Sequence, residues 1–303
     1  MTIRLNWERD GIDWPNRQAS RFVSAGGVSF HVQIMGEGPP VLLIHGTGSS
    51  THTWRDIVPL LAENFTVIAI DLPGHGFTRH ASAAQLSLPG MARSISDLLT
   101  VLNIQPERVV GHSAGAAILV EMVHAKYLDP ASIISFNGAF FPIAGFVGKF
   151  FSPLAKAVAS LGFLQKIFAT MADRSAIERL LNETGSHIDD RGTRLYQRLF
   201  SDEGHVGGTL GMMAAWDLSA MATVLHRLET KLYLVKATKD RTVPPETADE
   251  VARRSRHSAL IVTKGLGHLS HEEDPAGAVE IIANPECFVV VSEGKSQPNR
   301  RNS

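Results

Sequence analysis

The sequence predicts an α/β fold with a mostly parallel central sheet flanked by helices. Short, almost wholly apolar runs recur along the chain, and longer segments with helical periodicity separate them. Strands that are apolar throughout are typical of a parallel sheet that is covered on both faces. The chain has 303 residues, which suits one such domain with an insertion.

The predicted elements alternate along most of the chain. Strands are predicted over residues 30–34, 41–44, 67–71, 109–111, 133–136, 232–237 and 259–262. Helices are predicted between them, among others over residues 54–62, 91–102, 114–125 and 245–253. The run 288–291 is also β-prone, but the pattern gives it no place in the sheet.

Composition favours a cytoplasmic enzyme. The net charge is −1, so no overall field attracts nucleic acid or anionic lipid, and we expect no nucleic-acid partner. The one cysteine, Cys287, has no internal partner for a disulfide, which suits a reducing compartment. Residues 1–8 carry charges where a signal peptide needs an apolar run, so no export signal is predicted.

A serine between two glycines follows the predicted strand 109–111, in the run Gly111-His112-Ser113-Ala114-Gly115. This Gly-x-Ser-x-Gly pattern is typical of a sharp strand-to-helix turn that holds a serine hydroxyl above the sheet. Glycine is needed two residues before and after the serine because side chains there would clash. The pattern predicts Ser113 as a nucleophile.

A serine hydroxyl is a weak nucleophile at neutral pH, so Ser113 requires a general base and an acidic residue that orients the base. Both occur later in the chain, in the order that this turn predicts. Asp240 lies in the loop after strand 232–237, and His268 lies in a glycine-flanked loop after strand 259–262. We therefore predict a catalytic triad of Ser113, His268 as general base and then acid, and Asp240 as the residue that orients the imidazole.

A loop after strand 41–44 predicts the oxyanion hole. The run His45-Gly46-Thr47-Gly48 can place the N–H of Thr47 beside that of Ala114, which follows the nucleophile. Each such donor is typically worth about 3 kcal/mol of transition-state stabilisation. Asp71 also ends a strand, but it precedes Ser113 in the chain, so we interpret it as a residue that shapes its loop.

Neither a metal nor an organic cofactor is predicted. His268 and His271 are three residues apart, but no third ligand stands at a spacing typical of a zinc site. No glycine-rich phosphate-binding or dinucleotide-binding pattern is present.

With these motifs, residues 30–275 resemble the α/β-hydrolase fold family in its single-domain, lidded form. The residues that carry the resemblance are His45-Gly46-Thr47-Gly48, Asp71-Leu72-Pro73-Gly74-His75-Gly76, Gly111-His112-Ser113-Ala114-Gly115, Asp240 and Gly267-His268. The resemblance implies a helical lid inserted after the sixth strand. We expect a core of residues 25–137 and 223–290, a cap of residues 138–222, an N-terminal extension of residues 1–24 and a disordered tail of residues 292–303.

Within that family the chain is similar to the magnesium-chelatase-associated hydrolases of bacteriochlorophyll synthesis. The residues concerned are the run 7–17 and Gly46-Thr47-Gly48 followed by Trp54. This similarity implies a tetrapyrrole as substrate or ligand and magnesium chelatase as a partner.

The first half of the expected cap is rich in phenylalanine and broken by prolines and glycines, so it is not expected to span a membrane. Three interpretations remain open. The aromatic side chains pack the cap onto the core, or they also roof an apolar pocket, or the apolar face with its lysines rests on a membrane surface. The candidate pocket residues are Phe140, Phe141, Phe146, Met212 and Trp216.

Two functions remain open from the sequence. Serine at the turn, where dehalogenases and epoxide hydrolases of this fold carry aspartate, predicts acyl transfer, and we expect an esterase acting on an apolar ester-like substrate. The alternative is an accessory protein that binds a porphyrin-like ligand for magnesium chelatase and has little or no catalytic activity, because a fold and a site do not by themselves define a physiological role.

Overall fold

The fold is built on an eight-stranded sheet in the order β1-β2-β4-β3-β5-β6-β7-β8. The computed structural model describes residues 5–79, 82–142 and 172–290. β2 pairs antiparallel with both β1 and β4, and all other neighbours are parallel. The strands are β1 Ser20–Ala25, β2 Val28–Met35, β3 Pro40–Ile44, β4 Thr66–Ile70, β5 Arg108–His112, β6 Ser132–Phe136, β7 Lys231–Ala237 and β8 Ser258–Thr263.

The helices of the described residues fall before, between and after these strands. They are α1 Trp7–Asp10, α2 Ile57–Leu61, α3 Leu88–Leu102, α4 Ala114–His124, α5 Arg174–Glu183, α6 Asp190–Phe200, α7 Glu203–Ala215, α8 Met221–Arg227, α9 Glu246–Arg254, α10 Ser270–Glu273 and α11 Pro275–Ala283. Short 3-10 turns cover Arg17–Ala19, Thr51–Trp54, Ala83–Leu86 and Pro285–Phe288.

Alternating side chains of the inner strands enter two hydrophobic cores, one on each face of the sheet. Along β3, Leu42 and Ile44 join the core beneath α3, α4 and α8, while Val41 and Leu43 join the core beneath α2 and α11. Since both faces are covered, an inner strand such as β3 is apolar throughout, as the sequence predicts. This arrangement brings the carboxyl ends of β3 to β8 to one edge of the sheet.

β1 is a strand that the sequence pattern does not predict. It lies at the edge of the sheet, and of its six residues only Ala25 is buried. An edge strand with one side in solvent needs no apolar run, so its residues give little signal. The β-prone run 288–291 forms no strand where it is described: Val289 makes one bridge to Ile261 on β8.

A helical insertion follows β6, where the sequence predicts the lid. Its described part contains α5, α6 and α7, and each of these helices begins after an aspartate whose carboxylate accepts from a backbone N–H of the first turn. Residues 143–171, with the predicted pocket residue Phe146, lie outside the described residues, as does the predicted tail 292–303. In the described part of the chain, no helix combines the length and apolar character needed to cross a bilayer.

The segment before β1 joins this insertion to the core. Trp7 and Trp14 pack with Phe77 of the core and with Leu195 and Leu199 of α6. Polar contacts follow the same path, because Arg198 of α6 binds Asp13 at 2.6 Å and the backbone N–H of Leu5 donates to Asp202.

Candidate active site

Ser113 occupies a strained turn between β5 and α4. Its backbone has φ 52° and ψ −118°, a conformation that a residue with a side chain adopts only under constraint. A Cβ atom on Gly111 would lie 2.5 Å from the backbone nitrogen of Ala116, and one on Gly115 would lie 2.5 Å from the carbonyl oxygen of Ile44. The two glycines are therefore required by close backbone packing, as the motif predicts.

Asp240 and His268 lie side by side in the loops after β7 and β8. The Nδ1 atom of His268 is 2.8 Å from Oδ2 of Asp240, and both residues are buried. The other carboxylate oxygen, Oδ1, accepts from the backbone N–H groups of Thr242 and Val243 at 2.8 and 2.9 Å. This carboxylate is thus held by its own loop in the orientation that meets the imidazole.

Asn137, which belongs to none of the sequence motifs, also binds Asp240. Its Nδ2 donates to Oδ2 of Asp240 at 2.8 Å, and its Oδ1 accepts from the hydroxyl of Ser270 at 2.8 Å. Asn137 directly follows β6 and has φ 51°, and asparagine tolerates this left-handed conformation better than most residues. The signal in the sequence was therefore an asparagine at the carboxyl end of a predicted strand.

A column of aromatic rings connects the loop of His268 to the residue before Ser113. The ring of His112 lies 4.7 Å from that of His268 and 4.5 Å from that of His271, which in turn lies 4.6 Å from that of Trp54. The Nε2 atom of His112 is 2.9 Å from the carbonyl oxygen of His268 and donates to it, because a carbonyl oxygen can only accept. Burial lowers the pKa values of both His112 and His271 well below that of free histidine.

The predicted oxyanion donors lie on two segments that meet at Ser113. Gly46 comes so close that a Cβ atom there would lie 3.0 Å from the Cβ of Ser113. Thr47 follows Gly46, and Ala114 is the first residue of α4. From here on, residues 46–49 are called the oxyanion loop. The turn closes on itself, since the N–H of Ser49 donates to the carbonyl of Gly46.

Asp71, the other acidic residue that ends a strand, forms its hydrogen bonds with His31, Thr51 and Phe77 and not with His268. Its Oδ2 lies 2.9 Å from Nδ1 of His31 and accepts from the N–H of Phe77, while its Oδ1 accepts from the N–H of Thr51. Although burial opposes ionisation, these partners hold the pKa of Asp71 below its usual value. Asp71 therefore ties three chain segments together, which agrees with its interpretation as a residue that shapes its loop.

A buried ion pair lies beneath the triad loop. Glu272 on α10 pairs with Arg55, and its Oε1 accepts from the hydroxyls of Thr53 and Tyr196. Burial raises the pKa of Glu272, and Arg55 opposes that rise. Since Tyr196 lies on α6, this pair joins the insertion to the segment that carries His268. Charge pairs of this kind have no sequence signature, because their members are far apart in the chain.

The described candidate pocket residues lie partly in the core. Phe140 and Met212 are fully buried and belong to the core on the α4 face, and Phe141 and Trp216 pack against that core from its border. The sulfur of Met212 lies 3.5 Å from the hydroxyl of Thr47. Met212 thus brings an apolar side chain of the insertion to the oxyanion loop. No cluster that could hold a metal ion is found within the described ranges.

Comparisons with known proteins agree with the fold. Residues 41–281 match the model of the alpha/beta hydrolase family. The chain is 35% identical to the magnesium-chelatase 30 kDa subunit of Rhodobacter capsulatus over 263 residues, which are 86% of this chain and 92% of that protein. It is 26% identical to the pimeloyl-[acyl-carrier protein] methyl ester esterase of Neisseria meningitidis over 77% of this chain and 73% of that one. An alpha/beta hydrolase fold protein from Burkholderia ambifaria shares the fold, with a TM-score of 0.74 and 22% identity over 88% of this chain and 97% of that one.

Proposed function

Since the chain belongs to the alpha/beta hydrolase family, we propose that it is a serine hydrolase that cleaves an apolar ester-like substrate with Ser113, His268 and Asp240. The observation that carries this proposal is the buried hydrogen bond of 2.8 Å between Asp240 and His268. It occurs in the loops after β7 and β8, at the same edge of the sheet as the strained turn of Ser113.

The hydrogen bonds support a division of roles within the triad. With Nδ1–H of His268 donating to Asp240, the Nε2 atom of the same ring is left without a proton and can act as a base. Asn137 and the loop N–H groups hold Asp240, so the imidazole has one preferred orientation. The hydrogen bond from Nε2 of His112 to the carbonyl oxygen of His268 also fixes the backbone of His268.

In the proposed reaction, Oγ of Ser113 attacks the ester carbonyl carbon while its proton passes to Nε2 of His268. The carbonyl oxygen becomes an oxyanion, which accepts hydrogen bonds from the N–H groups of Thr47 and Ala114. When this intermediate collapses, the alkoxide leaves with the proton from His268, and an acyl group remains on Ser113. Water, deprotonated by His268, then releases the acid and restores the serine.

An apolar ester is the substrate class that the surroundings of Ser113 favour. Met212 and the neutral core on the α4 face lie beside the oxyanion loop, and a methionine adapts to ligands of irregular shape. The similarity to a methyl ester esterase supports an ester as the reacting group.

A second candidate function follows from the relative that is 35% identical to this chain. That relative is named as a subunit of magnesium chelatase, and it is matched over 92% of its length. We therefore also propose, as the alternative, an accessory protein that binds a porphyrin-like ligand for magnesium chelatase with a triad that is slow or idle.

One experiment separates the two proposals. The protein and its Ser113→Ala variant are treated with a fluorophosphonate probe, assayed with p-nitrophenyl esters and titrated with protoporphyrin IX by fluorescence. Labelling and turnover that disappear in Ser113→Ala support the hydrolase. Absence of Ser113-dependent labelling, together with tight porphyrin binding by both proteins, would refute the hydrolase and support the accessory protein. Brisk turnover without porphyrin binding would refute the accessory protein.

A further inference from the structure

Two buried imidazoles each form a hydrogen bond to a backbone carbonyl of the oxyanion loop. Nδ1 of His45 lies 2.7 Å from the carbonyl oxygen of Gly46, and Nε2 of His205 lies 3.2 Å from the carbonyl oxygen of Gly48. The carbonyl of Gly46 and the N–H of Thr47 belong to one planar trans peptide unit, so they point in opposite directions. Holding that carbonyl therefore aims the N–H of Thr47.

The remaining nitrogen of each ring accepts from the loop after β4. The N–H of Leu72 donates to Nε2 of His45 at 2.9 Å, and the N–H of Gly76 donates to Nδ1 of His205 at 3.0 Å. A backbone N–H can only donate, so each accepting nitrogen has no proton and the opposite nitrogen carries one. Both rings are thus neutral and in a fixed tautomer, and each one bridges the two loops.

His205 differs from His45 because it belongs to the insertion. It lies in the first turn of α7, where its own N–H donates to the carboxylate of Asp202 at 2.6 Å. The same helix packs closely on the core: a Cβ atom on Gly208 would lie 1.9 Å from the carbonyl oxygen of Gly74. Thr209 and Met212, further along α7, also face the oxyanion loop.

We propose that His205 is a positioning residue for the oxyanion hole, through which the insertion controls where the N–H of Thr47 points. The inference rests on the proposed hydrolase function. When α7 is packed against the core, His205 fixes the carbonyl of Gly48 and His45 fixes that of Gly46. Both ends of the turn around Thr47 are therefore held. When α7 shifts, the hydrogen bond from His205 to the carbonyl of Gly48 is lost, and the turn is held by His45 and by the hydrogen bond between Ser49 and Gly46 alone. Oxyanion stabilisation, and with it kcat, thereby depends on how the insertion is docked.

The test compares three variants of the full chain. His205→Phe keeps a ring but removes both nitrogens, His205→Gln keeps one donor and one acceptor, and His226→Gln changes an exposed histidine on α8 as a control. Each is assayed for kcat and KM on a p-nitrophenyl ester and for hydrogen exchange of the Ser49 amide, which reports the turn of the oxyanion loop.

We expect His205→Phe to lower kcat by about 10-fold to 100-fold. This decrease is smaller than the decrease of roughly 100-fold to 1,000-fold that follows when an oxyanion donor is removed altogether, because here the donor is only misaligned. KM should change little, Ser49 should exchange faster, and His205→Gln should recover part of kcat. A kcat within about twofold of the unmodified protein, or unchanged exchange at Ser49, would overturn the proposal. If His205→Phe does not fold, the same criteria apply to His205→Gln, with an intermediate loss expected. If the unmodified protein shows no Ser113-dependent hydrolysis, that result refutes the proposed hydrolase function but not the positioning role of His205. The hydrogen exchange of the Ser49 amide alone then decides whether His205 positions the loop.

Discussion

Lowering the pH from about 7 to about 5.5 is expected to remove much of the folding stability, because buried histidines that are neutral in the fold become protonated in the unfolded chain. Burial is the largest cause of a lowered pKa for each of them, and the pKa values of His45 and His205 fall to about 4. The full set is His45, His52, His75, His112, His205 and His271.

The sign and size follow from linkage. A histidine with a depressed folded pKa binds more protons when unfolded, so its contribution is complete above the unfolded pKa of about 6.5 and is lost as the pH falls toward 4. For a folded pKa of about 4, the loss between pH 7 and 5.5 is about 1.2 kcal/mol per histidine. His45 and His205 together lose about 2.5 kcal/mol, against a usual domain stability of about 5–15 kcal/mol. The other four buried histidines add to this loss in the same direction. Glu272, whose folded pKa is raised, opposes this loss as the pH approaches 5.

The assay is urea unfolding at several pH values between about 5.5 and 7.5, followed by tryptophan fluorescence, since Trp14 and Trp54 are buried. The slope of the unfolding free energy against pH gives the protons taken up on unfolding. His52→Gln should reduce that uptake by about one proton near pH 5.5, whereas the exposed-site variant His226→Gln should not reduce the contribution of the buried set. Uptake of fewer than about two protons at pH 5.5 would refute the reasoning, because His45 and His205 alone require about 1.8 at that pH.

Two further changes test the contacts between the insertion and the core. Replacing Glu272 with alanine removes the buried carboxylate that pairs with Arg55 and leaves its pairs with the exposed side chains of Asp56 and Asp189, so we expect a loss of about 3 kcal/mol in urea unfolding. The exposed pair Arg174–Glu178 provides the control, since Glu178→Ala should cost less than about 1 kcal/mol, and equal losses would contradict the argument. Replacing Gly208 with alanine should displace α7 and lower both stability and kcat, because the new methyl group meets the backbone of Gly74. Gly211→Ala on the same helix meets the end of the Leu86 side chain, which can rotate, so a loss as large as that of Gly208→Ala would count against it.

The central strands and the serine turn could be predicted because their signals are local. β3 is apolar throughout because it is buried on both faces, and Gly111 and Gly115 are required by backbone contacts within a few ångströms of Ser113. The family predicted from these motifs is confirmed by the match over residues 41–281. β1 gave no such signal, because its outward residues contact solvent rather than a core.

The supporting residues of the site could not be predicted, because their partners are distant in the chain. Asn137 meets Asp240 across 103 residues, and Glu272 meets Arg55 across 217. His205 lies in a helix rich in glycine, where nothing marks it as a partner of Gly48 until the insertion is folded onto the core. The catalytic assignments of Ser113, His268 and Asp240, and of the donors Thr47 and Ala114, stay predictions until activity is measured.

The segment around Trp7 and Trp14 has a consequence for the order of folding. Leu5 binds Asp202, which is 197 residues further along the chain. At a synthesis rate of about 5–20 residues per second, the partners of Leu5 appear roughly 10–40 s after it. During that interval the tryptophans of this segment have neither Leu195 nor Leu199 to pack against. Docking of the segment therefore closes a loop of 197 residues, and it has to wait until the insertion has been synthesised.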